Sequence, residues 1–162
     1  MDRNKLLEFP GYDASKYDEV DRLISITENK LDDGEDARDE IAQIHALVGK
    51  VNEFTEYTFR NYWRSISKEE LIERILTPHP PEIDKLSRDE ILLVLKKMTE
   101  TEIEHSSYYL ELLSKNTPYA YSLSDLVYWP HRLGYPPDLS LEEMAGIIFR
   151  NEPPPVLRDR QA

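Results

Sequence analysis

The stretch Ser122–Met144, SLSDLVYWPHRLGYPPDLSLEEM, decides how its half of the chain folds. It holds two helix starts separated by a run that cannot be helical. SLSDLVYWP (122–130) has room for one or two helical turns, capped by Ser124 or Asp125 and halted at Pro130, whose ring lacks an N–H and clashes with the preceding turn. HRLGYPPD follows as a loop. Ser140 then opens SLEEMAGIIFRNE with Glu143 three residues later, the spacing of a capping box, and Leu141, Met144, Ile147 and Ile148 fall on one face. So short a first helix cannot bury a full face. Its Asp125, Tyr128 and Trp129 therefore either pack beneath a loop or stand at the surface to be used.

Upstream, the pattern is helical throughout. LSRDEILLVLKKMTE (86–100) starts with Ser87 and Glu90 at capping-box spacing and directs Ile91, Val94, Leu95 and Met98 inward. EIEHSSYYLELLSKN (102–116) predicts a helix with Ile103, Leu110 and Leu113 buried and Glu104, Tyr108 and Glu111 on the opposite face. TPHPPEID (77–84) cannot continue a helix through Pro78, Pro80 and Pro81, so the principal boundary falls near residue 80. Before it, SISKEELIERIL (65–76) is a helix with Ser67 and Glu70 at its start. SKYDEVDRLISITENKL (15–31) buries Val20, Leu23, Ile24 and Leu31, with Ser15 as cap and Asp18 and Glu19 favouring the helix dipole. DDGED (32–36) is a solvated turn. A long helix is then expected over 37–64, with Ile41, Ile44, Val48, Val51, Phe59 and Tyr62 inward, closing an antiparallel hairpin.

These elements predict an all-α fold: residues 1–80 as an N-terminal helical hairpin, 81–152 as a small four-helix bundle, and 153–162 as a flexible, extended tail.

Composition narrows the functional classes. Of 162 residues, 40% are hydrophobic, enough for a core, and the formal net charge is -12. No basic stripe is present, which argues against nucleic acid, and the acidic balance favours either a basic macromolecular partner or simply solubility. Cysteine is absent, so disulfides and thiolate metal sites are excluded. His45, His79, His105 and His131 are scattered without ligand spacing, and DDGED lacks the alternating oxygen ligands of a calcium loop. FTEYTFRNYWRS (54–65) interleaves aromatics with arginines, yet at helical spacing such aromatics are expected in the core rather than stacking bases. No phosphate loop, nucleophile elbow or Ser/His/Asp constellation occurs, so neither catalysis nor a cofactor is expected. MDRNKLLEFPGYD has no apolar run resembling a signal peptide, and nothing later reaches membrane-spanning length. A cytoplasmic protein without membrane contact is the default expectation.

Residues 86–152 resemble the colicin/pyocin-type nuclease bacteriocin immunity proteins. The most specific part is Ser124-Asp125-Leu126-Val127-Tyr128-Trp129-Pro130, where that family has Ser-Asp, two aliphatics, two aromatics and Pro. LELLSKNTP (110–118) is similar to the end of the family's second helix. Trp129 stands where a second tyrosine is commoner, HRLGYPPD replaces a more acidic loop, and family members are about half as long, leaving residues 1–80 outside the resemblance. The resemblance implies a four-helix inhibitor of the basic nuclease domain of a cognate toxin. It implies a shared anchor at Asp125, Tyr128 and Trp129, and a discriminating face at Glu104, Tyr108 and Glu111. The alternative is an acidic helical interaction or regulatory protein with no toxin partner.

Overall fold

The computed structural model describes residues 3–50 and 53–158; among them are ten α-helices and no strand, an all-α fold. Two compact units form, and their boundary falls in the proline-rich stretch. One comprises residues 10–78; the other joins residues 3–9 to the chain from His79 onward. The N-terminal residues thus leave the hairpin to which the sequence assigned them. The physical reason is Leu7, which follows the single turn α1 (Arg3–Leu6), is fully buried and belongs to the core of the second unit. Arg3 reinforces this by pairing with Glu90 at 2.9 and 3.0 Å, holding that carboxyl below its ordinary range.

In residues 10–78, α2 (Tyr17–Asp32) buries Val20, Leu23, Ile24 and Leu31, the expected stripe. The cap differs: the Asp13 carboxylate, rather than Ser15, accepts the N–H of Ser15 in a short 3-10 turn before α2. α3 (Arg38–Val48) packs on α2. The single helix expected over 37–64 is broken, because Gly49 takes a left-handed conformation (φ 69°) that terminates α3. Helix resumes as α4 (Glu56–Asn61) behind Thr55, and Val51 lies outside the described residues. α4 and α5 (Lys68–Leu76) both pack on α2, so this unit is a four-helix cluster rather than a hairpin. Ser67 caps α5 by accepting the N–H of Glu70.

In the second unit, α6 (Arg88–Lys96) begins with a complete capping box between Ser87 and Glu90. A π-helical turn (Lys97–Thr101) and a 3-10 turn (Ile103–His105) separate it from α7 (Ser106–Asn116). α8 (Leu123–Tyr128) is short, and α9 (Leu141–Arg150) packs on α6 behind its Ser140 cap. Met144, Ile147 and Ile148 are buried as expected, with Leu141 half-buried. The expected extended tail is instead helical over α10 (Pro155–Arg158). That turn sits against Gly134, where φ is 90° and an added Cβ would meet the Pro155 Cβ at 3.0 Å and the Val156 N at 3.1 Å. Only glycine fits there.

Candidate functional site

α8 is built to be brief. Ser122, not Ser124 or Asp125, caps it: its hydroxyl accepts the N–H of Asp125 at 3.2 Å. Leu123, Leu126 and Val127 take the buried face at i, i+3 and i+4, with Leu126 fully enclosed. Trp129 then leaves helical geometry (φ -138°, ψ 52°), and Pro130 opens a 3-10 turn ending at Gly134. With the inward positions occupied by aliphatics, the remaining large side chains are left outside. Tyr128 is 43% exposed and Trp129 49%.

Asp125 connects to Trp129 through a residue that the sequence pattern had not singled out. The Arg132 guanidinium lies 5.0 Å from the Trp129 ring centroid and 3.6 Å from the Asp125 carboxylate. His131 meets the same indole edge-on at 6.4 Å. The signal for Arg132 was present as an arginine three residues beyond a tryptophan and seven beyond an aspartate, a spacing that becomes meaningful only once the 3-10 turn is known. The result is a surface carrying a phenol, an indole and a carboxylate, steadied by one cation.

Between α7 and α8 runs an open groove of about 370 Å³, bordered by Leu110, Glu111, Tyr121, Leu123 and Ser124. Glu111 thus borders the groove, and its carboxylate also lies 2.9 Å from His79 Nδ1. Glu104 is exposed on the 3-10 turn before α7, with His105 Nε2 3.7 Å from its carboxylate. His105 itself stacks on Phe9, ring centroids 3.7 Å apart.

Two expectations for this face fail. Tyr108 is only 8% exposed, packed edge-on against Phe9 and Tyr109, and burial raises its phenol above the usual value. Ile103, expected inward, is exposed. Both follow from the π and 3-10 turns, which break the helical phase on which the 102–116 stripe depended. Within α7 the buried positions are Tyr108, Tyr109, Leu112, Leu113 and Asn116. The expected triad of Glu104, Tyr108 and Glu111 is therefore reduced to two exposed carboxylates on different elements.

Nearby, the buried Tyr119 hydroxyl has no hydrogen-bond partner among the described residues, and burial pushes its pKa above the usual phenol value. Tyr135, whose hydroxyl donates to Glu152 at 3.2 Å, is pushed up to about 12, chiefly by burial. No group of three or more His, Asp or Glu among the described residues is arranged to hold a metal ion, and no described helix is long and apolar enough to cross a membrane. Comparison of the chain with family models, curated proteins and solved structures finds no match.

Proposed function

We propose that this chain is an immunity-type inhibitor that binds the basic nuclease domain of a bacteriocin toxin through Asp125, Tyr128 and Trp129. The observation that carries this reading is the exposure of both aromatics beside Asp125, at the end of a helix whose aliphatic side chains are buried. Tyrosine and tryptophan bring large contact area with a polar handle, and a few such residues dominate binding energy at interfaces. The SDLVYWP segment that carries the family resemblance is the segment that forms this surface.

Charge supports the same partner. A net charge of -12 draws a basic domain by long-range attraction, and Asp125 can receive a charge-assisted hydrogen bond from its lysines or arginines. Arg132 occupies the position beside Asp125 and over Trp129 that a partner's cation would otherwise take. Glu111, beside the α7–α8 groove, and Glu104 are the carboxylates available to discriminate between partners. Tyr108, enclosed in the core, takes no part.

An inhibition assay tests this. Purified bacteriocin nuclease domains, both DNases and RNases, are titrated with the full chain. Stoichiometric loss of nucleic-acid cleavage with at least one of them is expected. Full cleavage across the panel with the chain in large excess would contradict the proposal.

A further inference from the structure

Residues 3–9 belong to the second unit, although the whole of residues 10–78 separates them from the rest of it. Three of these residues anchor the segment. The Arg3 guanidinium donates two hydrogen bonds to the Glu90 carboxylate on α6, and two more to the backbone carbonyls of Asp84 and Lys85 at 3.1 and 3.3 Å. Leu7 is fully buried. The Phe9 ring stacks on His105 at 3.7 Å and meets Tyr108 edge-on at 5.2 Å. Its backbone N–H donates to the Tyr109 hydroxyl at 3.2 Å, and that hydroxyl is oriented by donating to Glu102 at 2.9 Å. Asn4, Lys5 and Glu8, between the anchors, are exposed.

Anchors at i, i+4 and i+6 with exposed residues between them are how a short peptide occupies a protein, a few side chains fixing the sequence and a backbone bond fixing the register. A helix belonging to the core by its own packing would bury a continuous stripe instead, and α1 buries no residue. We propose that α6, the turns after it and the start of α7 form a peptide-binding seat that recognises Arg-x3-Leu-x-Phe and holds the chain's own N-terminal segment as a strap. The seat's chemistry selects this occupant: a carboxylate for the guanidinium, an apolar socket for leucine, and an imidazole face with a phenol acceptor for phenylalanine. Because residues 10–78 are the tether, the strap docks as a linked peptide would, aided by effective concentration rather than by a connecting turn. The docked strap covers Tyr108, so part of the face that the resemblance gives to partner discrimination is occupied from within. The proposal stands independently of the role given to α8.

Fluorescence anisotropy of a labelled peptide, residues 3–10, titrated with the full chain tests it. One form of the chain carries Arg3→Glu, Leu7→Ala and Phe9→Ala, which empties the seat; the parent keeps it filled. The peptide should bind the emptied chain about tenfold or more tightly than the parent. Leu7→Ala within the peptide should remove about tenfold or more of that affinity. Bound peptide should also raise the melting temperature of the emptied chain and leave that of the parent unchanged. No saturable binding to an emptied chain shown folded by circular dichroism would overturn the proposal, and so would equal binding to both forms. Should the triple substitution unfold the second unit, hydrogen exchange in full-length Phe9→Ala decides. Exchange at Leu7, Glu8 and Phe9 should speed by about tenfold or more while α6 and α9 stay protected. Acceleration spread evenly over the unit would overturn the proposal, making residues 3–9 ordinary core. A parent dimer that Leu7→Ala dissociates would overturn it too, placing the strap on a second copy of the chain.

Discussion

α4 and α8 are both six residues long, and both give way to a 3-10 turn. At each junction an exposed tryptophan has a guanidinium over its ring, Arg64 at 5.3 Å in one case and Arg132 at 5.0 Å in the other. The difference lies in the charge around the guanidinium. Arg132 is paired with Asp125, so the cation over Trp129 is compensated. Arg64 has no such partner among the described residues, so the α4 surface presents a cation. One carboxylate thus decides whether the cation over the exposed ring is compensated.

The largest expected effect tests whether the two regions are separate units. Leu7→Ala removes a fully buried side chain from the second core and should cost that unit about 2–5 kcal/mol. The chain's two tryptophans, Trp63 and Trp129, lie one in each unit. Urea unfolding followed in Trp63→Phe and Trp129→Phe backgrounds therefore reports on them individually. The transition seen through Trp129 should shift and that seen through Trp63 should not. Equal shifts would merge the units into one cooperative body.

Next in size is a gain. Tyr119→Phe deletes a buried hydroxyl that has no partner among the described residues and should stabilise the second unit by about 1 kcal/mol. It should also act on alkaline stability. Burial raises the Tyr119 phenol above its unfolded value near about 10, so folding favours the protonated form. That contribution is fully present below pH of about 10 and is lost as pH rises beyond it. Thermal melts of the variant from pH 8 to 11 should accordingly decline less steeply than those of the parent.

Smaller effects sharpen the charge argument at α8. Reversing Glu104 and Glu111 together to Lys should slow association with a basic nuclease more than reversing Glu142 and Glu143, which sit in the first turn of α9. Stopped-flow mixing at two salt concentrations distinguishes these. Identical slowing would leave net charge as the only determinant. Arg132→Ala, which frees Asp125, should change affinity least, with a modest strengthening visible by calorimetry; a marked loss would make Arg132 part of the contact.

How far the sequence carried these conclusions depends on the type of signal. Side-chain caps at Ser67, Ser87 and Ser140 were readable because the residue that caps also announces the helix. The stripes of α2 and α6 were readable because each runs without interruption through a regular helix. Phase was lost where the backbone left α geometry. Nothing in KMTETEIEH marks a π turn followed by a 3-10 turn, so Tyr108 was placed outside and Ile103 inside. Gly49 broke the 37–64 helix, and its left-handed cap was not separable by periodicity from a tolerated interior glycine. At the candidate site, Asp125, Tyr128 and Trp129 were identifiable from the motif. Arg132 and the Ser122 cap required knowing where the turn begins. Leu7 was invisible for another reason: it follows a single helical turn, too short to show a period.

In the proposed function the basic nuclease domain docks at Asp125, Tyr128 and Trp129 and not at the exposed Trp63. Calorimetric titration of such a domain into the parent chain, Trp129→Ala, Tyr128→Ala and Trp63→Ala tests it most directly. The Tyr128 and Trp129 substitutions should each cost on the order of 2 kcal/mol of binding while the variant stays folded, and Trp63→Ala should bind as the parent does. Unchanged affinity in folded Trp129→Ala and Tyr128→Ala, or an equal loss in Trp63→Ala, would contradict it.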